Sequence, residues 1–493
     1  MTVIANESTG DRRNKLTNSC GSSKHEGKPW PDSSQAGRIL PHLLVITLTC
    51  AALGCFVLQP GNSRADRGTT RQAEIQRQTE KVLATTVSAY QWLHAHPELS
   101  SQEIDTARYM ATELRAIGLE VYEGIGGHGV VGILRGKGRP DKPGKDKPGQ
   151  PGRPSGPVVL YRADMDGLPI TETTGVSYTS QNSGVMHACG HDVHMATALG
   201  TLRVLAALAG QWHGTVLFVG QPAEEIGAGA RAILADPAFQ RILQEVGTPR
   251  LALALHDSFL PAGTVGLAPG YVNANADALD IVIYGKGGHG ARPHKSIDPI
   301  VIGSEIVLAL QTIVSRRLPP GTRAVITVGK FSAGTKHNII APEATLLLTV
   351  RSYEDDVHEF LVAEIRRVAE NVARAHNAPR LPTITRREDL TPASYNDPAW
   401  AGQLDGAFKR ALGAGNVTRE EPSMGGEDFG RYARALKIPG VMWRLGAVDP
   451  EIWRTTKHED IPDVHSDKWA PTAELTLRTG IVTATTAILE GLD

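Results

Sequence analysis

The segment richest in reactive groups is His187-Ala188-Cys189-Gly190-His191-Asp192-Val193-His194, with one cysteine and three histidines. Thiolate and neutral imidazole are donors that zinc and similar divalent ions favour, with oxygen ligands completing the shell. Cys189 and His191 stand two apart on a turn that opens a helix, a spacing that lets both side chains converge on one metal centre. His194 falls on the helix face nearby. A second segment, Gln221-Pro222-Ala223-Glu224-Glu225, puts consecutive carboxylates directly after a strand, pointing in different directions. One can bind a metal while the other takes a proton from water that the metal activates, as metal-assisted hydrolysis requires. His256 closes an apolar strand, where α/β sheets hold their ligands. His465, in Asp463-Val464-His465-Ser466-Asp467, offers a late donor. Each has a plainer explanation. Cys189 can be a small buried residue, the glutamates an acidic helix start, and each histidine a satisfied structural one. Taken together they favour a metal.

Such groups need elements to position them. Ile75, Val82, Leu83, Val87, Tyr90 and Leu93 recur at near-helical spacing and predict a helix over 72–93. Ser100 with Glu103 forms a capping-box pattern opening a second helix, which Gly118 closes. Strands are predicted at 119–122, 130–134, 158–161, 215–219 and 251–255, with helices near 192–209 and 228–234. This alternation implies an α/β domain with a mainly parallel sheet covered on both faces. Gly124-Ile125-Gly126-Gly127-His128-Gly129 matches the dinucleotide fingerprint by letter. A strand and not a helix follows, so no helix N-terminus awaits a pyrophosphate, and the match is rejected. Residues 136–157, rich in Gly, Pro, Lys and Asp, read as a flexible insert. From 274 to 392 the order β-α-β-β-α predicts a smaller inserted α+β domain. The larger domain then comprises 71–273 and 393–493, an arrangement that adjacent domain ends permit.

At 493 residues, 41% hydrophobic and 21% charged, the chain has ample material for a core. A formal net charge of -1 offers no field to hold nucleic acid, which is excluded as a partner. Residues 1–65 read as a leader. A polar stretch containing Arg12, Arg13, Lys15, Lys24, Lys28 and Arg38 precedes an apolar run at 40–58, and Ser63-Arg64-Ala65 suits signal peptidase. The run is also long enough for a membrane anchor, and Cys55 offers a lipidation site. All three readings imply export, with the catalytic part outside the cytoplasm. Cys20, Cys50 and Cys55 lie in the leader, leaving Cys189 alone in the body without a disulfide partner, as a metal ligand would be.

Six ordered blocks carry a specific resemblance: His94-Ala95-His96-Pro97-Glu98-Leu99, Arg162-Ala163-Asp164-Met165-Asp166-Gly167-Leu168-Pro169, the block from His187 to Asp192, Gln221 to Glu225, Gly287-Gly288-His289-Gly290-Ala291-Arg292-Pro293-His294, and Gly425-Gly426-Glu427-Asp428-Phe429. From about Trp92 onward the chain resembles the M20 metallopeptidase family, in its branch of hippurate hydrolases, aminoacylase-like enzymes and auxin-conjugate hydrolases. The resemblance implies two divalent ions, manganese or zinc, held by Cys189, His191, Glu225, His256 and His465 with Cys189 between them. It implies Glu224 as general acid/base, Asp166 as a supporting aspartate that orients a ligand, and His289 and Asn338 as substrate contacts. It further implies a homodimer through the inserted domain and small N-acyl amino acids as substrates. Two departures, Ser466-Asp467 after His465 and Asp257-Ser258 after His256, fall beside the expected ligands. Rival readings are a dipeptidase or aminopeptidase on the same ions, a nucleobase-type zinc deaminase, which would need a Pro-Cys-x-x-Cys partner absent here, and a non-catalytic binding protein. The last should have lost a ligand or the base, and all six positions are filled.

Overall fold

The computed structural model describes residues 64–138, 156–386 and 391–493. The apolar run at 40–58, Cys55, and most of the 136–157 insert lie outside the described residues; Arg64 and Ala65 begin the first helix.

Helices α1 (Arg64–Ala95) and α2 (Ile104–Ile117) come first, then strands β1 (Glu120–Ile125), β2 (Gly129–Arg135) and β3 (Val158–Asp164). α3 (His191–Ala207), β4 (Thr215–Gln221), α4 (Gly229–Ala235), α5 (Pro237–Val246) and β5 (Leu251–Pro261) follow. Short strands β6 (Val265–Gly266) and β7 (Gly270–Asn273) lead to β8 (Asn275–Tyr284), β9 (Gly288–His289), α6 (Pro299–Arg317), β10 (Ala324–Ala333), β11 (Ile339–Ile340), β12 (Glu343–Ser352), α7 (Asp355–Ala375) and β13 (Thr383–Arg386). The chain ends with β14 (Ser394–Asn396), α8 (Pro398–Leu412), β15 (Val417–Thr418), α9 (Gly430–Leu436), β16 (Gly440–Val448), α10 (Pro450–Thr455) and α11 (Ala473–Leu492).

The large sheet runs β1-β2-β4-β3-β5-β16-β6-β15. Its centre, β4-β3-β5-β16, is parallel, and antiparallel pairs flank it. Alternate residues of β3 serve opposite faces. Val159, Tyr161 and Ala163 pack with α1, α3 and α11, whereas Val158 and Leu160 pack with Ile233, Phe239 and Ile242 of α4 and α5. Two covered faces explain why these strands are apolar throughout. The second sheet, β10-β12-β8-β13, is antiparallel and covered on one face by α6 and α7. Along β8 burial alternates strictly, with Leu279, Ile281 and Ile283 inward. Asp236, Asp298 and Asp397 each accept a backbone N–H of the helix that begins at the proline beside them, starting α5, α6 and α8.

The glycine-rich run 124–129 closes the β1–β2 hairpin, with Gly126, Gly127 and His128 as its turn. One local reading needs correction. Ser100 and Glu103 do not form a capping box, because both side chains are drawn to tertiary partners. Ser100 Oγ donates to Asp166 (2.6 Å), and Glu103 accepts from the N–H groups of Ser101 and Ala223. Glu98 takes over the cap, accepting from the N–H groups of Asp105 and Thr106. Gly118 does close α2, at φ 100°.

His94 locks α1 to the start of α3, 2.6 Å from Asp192 and 3.2 Å from Glu172. Burial opposes its charge, but hydrogen bonds and the charges of these two carboxylates outweigh it and hold His94 at about 9. A pKa raised on folding contributes stability that is whole below the ordinary value of 6.5 and gone above about 9. The loss across that window amounts to about 3 kcal/mol. Chemical denaturation on either side of it should register the decline, and His94→Gln should lack it while being less stable at neutral pH.

Candidate active site

Segments remote in sequence deliver the donor groups. Cys189 lies in the turn before α3, and His191 is that helix's first residue. Gly190 between them has φ +73°, and a Cβ there would lie 2.0 Å from an Asp257 oxygen. Only glycine lets this turn press against β5. Glu224 and Glu225 follow β4 in a loop entered through Ala223 at φ 53°, a left-handed backbone that a non-glycine residue adopts when its surroundings enforce it. His256 lies inside β5 and not at its end. The strand predicted to stop at 255 runs on to Pro261 because its second half continues to pair with β16. His465, at φ 67°, turns back so that its N–H bonds Ala188 O at 2.7 Å.

All five expected ligands meet. Cys189 Sγ is 3.6 Å from His256 Nε2 and 3.3 Å from His465 Nε2. Glu225 reaches His465 Nε2 at 3.7 Å and His191 Nε2 at 3.9 Å. Donors bound tetrahedrally at metal distances of 2.0–2.3 Å stand about 3.3–3.8 Å apart, so the spacing suits cations. Among the groups whose donor atoms converge are Cys189 with His191 and His256, and Cys189 with Glu225 and His465. Cys189 is common to both. His191 Nδ1 is 2.8 Å from Asp166 O, and His256 Nδ1 is 2.6 Å from Asp257 O. Each Nδ1 thus carries a proton donated to a carbonyl, leaving Nε2 as the free donor. His191 Nε2 and Glu225 Oε1 are buried without a hydrogen-bond partner, as atoms awaiting a cation would be.

A second layer orients these donors. Besides its carbonyl bond to His191, Asp166 accepts the N–H of Glu225 at 3.0 Å, which ties together residues from both groups. His194 lies 2.5 Å from Asp164 and accepts the N–H of Asp257 at 2.8 Å. With both nitrogens so engaged, it stands beside the sulfur-centred groups. Asp257 also accepts Trp469 Nε1–H at 2.9 Å. Arg162, fully buried, donates to Asp164 (2.5 Å), Glu427 (2.9 Å), Asp428 (3.0 Å) and Gln221 (3.0 Å). Burial works against the charge of Asp164, but Arg162, His191 and His194 hold its carboxyl well below the usual range. Burial and the neighbouring Glu427 and Asp428 push Glu224 well above it. Burial likewise raises Asp428 to about 6, against the pull of Arg162.

His289 and Asn338 lie elsewhere. They face each other's strands on the β9–β11 ribbon, where Gly290 N–H bonds Asn338 O at 2.8 Å, and both are exposed. Among the described residues no hydrogen bond or ion pair links either of them to the five clustered donors. Sequence reasoning assigned no role to Arg162, Asp164, Asp257 or Asp428. The runs Arg162-Ala163-Asp164 and Gly425-Gly426-Glu427-Asp428 were the available signal, since charged residues inside apolar strands and glycine turns need buried partners.

The model for peptidase family M20/M25/M40 matches residues 160–479. The chain is 35% identical over 399 residues to an N-acetylcysteine deacetylase of Bacillus subtilis, covering 78% of this chain and 95% of that protein. It is 32% identical over 348 residues to a hippurate hydrolase of Campylobacter jejuni, covering 70% and 84%. Its fold is similar to that of a dinuclear metal-binding peptidase of the M20 family from Bacillus subtilis, with a TM-score of 0.65 at 30% identity, covering 83% of this chain and 99% of that one. The residue types at the sheet's centre, their spacing and these likenesses agree: the chain belongs to peptidase family M20/M25/M40 and is, with it, a metal-dependent hydrolase.

Proposed function

We propose that the protein hydrolyses the amide bond of small N-acyl amino acids, with Glu224 as general acid/base. The observation that carries this reading is an asymmetry between neighbouring carboxylates. Glu224 and Glu225 both approach His191 Nε2 at 3.9 Å. Glu225 is fixed through its backbone by Asp166 and its carboxylate joins Cys189 and His465, whereas the Glu224 carboxylate stands outside that trio, beside His191 and Glu225. A free carboxylate can take a proton and return it; one committed to a cation cannot. Cys189, His191, Glu225, His256 and His465 would hold two divalent ions, manganese or zinc, with Cys189 shared. Bound there, the ions supply Lewis-acid activation of water and of the scissile carbonyl. Glu224 Oε2 accepts the proton of the attacking water and passes it to the leaving nitrogen. Asp166 keeps His191 in the tautomer that presents Nε2. His289 and Asn338 reach the substrate when the smaller sheet closes over the site or from a second subunit. The N-acetylcysteine deacetylase and hippurate hydrolase names of the relatives support the substrate class.

We further propose a homodimer through the smaller sheet. β10 is an edge strand, and beside it α6 exposes Val301 (52%) and Leu308 (71%) while Phe331 of β10 lies over Gly303. An apolar patch beside an open strand edge is a surface that a second copy can cover.

Glu224→Gln should lower kcat by about 10³-fold or more while leaving bound metal unchanged; retained turnover would remove the assignment. On a panel of acetyl-, benzoyl- and indoleacetyl-amino acids against free-amine dipeptides, cleavage should be confined to the acylated compounds. Preference for the dipeptides would favour a peptidase instead. Leu308→Glu should convert a dimer to a monomer in sedimentation velocity, and an unaltered profile would refute the interface.

A further inference from the structure

The loop carrying Glu224 and Glu225 has no regular structure of its own, lying between the last residue of β4 and the first turn of α4. Carboxylates that must work at fixed positions need their backbone held to a fraction of an ångström. Local bonds do part of this. Ala223 O accepts the N–H groups of Ala228 and Gly229, and Ala223 N–H is held by Glu103 at 2.7 Å. The loop ends are pressed together: a Cβ on Gly229 would lie 1.7 Å from Pro222 O.

Both ends are then gripped by one side chain from a remote part of the chain. Asp428 Oδ1 accepts Gln221 Nε2–H at 2.7 Å, and Asp428 Oδ2 accepts Ala230 N–H at 2.9 Å. Gln221 precedes the loop and Ala230 follows it. Arg162 completes a triangle, donating to Asp428 Oδ1 and to Gln221 Oε1. The Gln221 amide therefore has its oxygen and nitrogen oriented from opposite partners and cannot turn over without losing both bonds. Asp428 is not needed to neutralise Arg162, which already meets Asp164 and Glu427 at 2.5 and 2.9 Å. A third buried carboxylate beside one guanidinium adds repulsion, so stability gives no reason for it. Geometry does.

We propose that Asp428 is a positioning residue. Its two oxygens clamp the two ends of the 221–230 segment and so fix where Glu224 and Glu225 stand. The catalytic consequence rests on the roles proposed above for those glutamates.

The test is Asp428→Asn in the full chain. Asparagine keeps the shape but sets an N–H₂ against either Ala230 N–H or the Gln221 and Arg162 donors, releasing one end of the loop. Amide exchange measured by mass spectrometry should rise in 222–230 and stay unchanged in β3 and β5. In step with it, kcat should fall about 100-fold, the effect of a reacting group misplaced by about 1 Å, while KM changes little. Gln221→Ala opens the other end and should act alike, with the double variant no worse than the poorer single one. It also carries the test should Asp428→Asn fail to fold. Unchanged exchange at 222–230, or independent, multiplying losses in the double variant, would overturn the clamp. Loosened exchange with full turnover would instead leave the clamp standing and overturn the roles given to Glu224 and Glu225.

Discussion

Buried carboxylates repel one another, and this molecule collects them. Asp164, Asp166, Asp257, Glu427 and Asp428 are all buried at one end of the large sheet, with Glu224, Glu225 and the Cys189 thiol beside them. In a low-dielectric interior such a gathering is costly unless cations or hydrogen-bond donors answer each charge. Arg162 answers part of it from beneath. Backbone N–H groups of Glu225, Ala230 and Phe429 answer more, at Asp166, Asp428 and Glu427. The remainder faces the space between Cys189, His191 and Glu225, where divalent cations would complete the balance. The surrounding fold reads as the means of holding this charge in place.

The parallel core of the sheet makes that arrangement accessible. β3 ends at Asp164 and β4 at Gln221, while His256 lies in β5 between them and β16. In open α/β sheets the carboxyl ends of the strands are where ligands bind, because neighbouring loops diverge there. Here turns and loops carry Cys189, Glu225 and His465, α3 opens on His191 and β5 carries His256, while the strand ends Asp164 and Gln221 carry what supports them. The β9–β11 ribbon that carries His289 is a separate two-stranded sheet, with no hydrogen bond or ion pair from His289 to these donors among the described residues.

What the amino-acid order disclosed depended on how far apart the cooperating residues were. Cys189 and His191 announce themselves because both donors sit in one turn, and the near-helical apolar positions of α1 are equally local. The Ser100–Glu103 pattern misled for the opposite reason: its side chains had better partners in Asp166 and Ala223, which no local window contains. The full length of β5 was hidden because pairing with β16, not composition, sustains it past His256. α5 escaped prediction although Asp236-Pro237 marks its start. The work of Asp428 was invisible, since its partners lie some two hundred residues earlier.

The position of His465 has a consequence for biosynthesis. Its donor nitrogen reaches a sulfur that was incorporated 276 residues before it. α11, which follows, supplies Leu477, Ile481 and Ile488 to the same core as α1 and α3. During translation the thiol and the first imidazoles emerge from the ribosome long before the group that completes their set. A polypeptide synthesised only as far as α10 therefore holds an incomplete set of donors, and His465 must arrive before that set is whole.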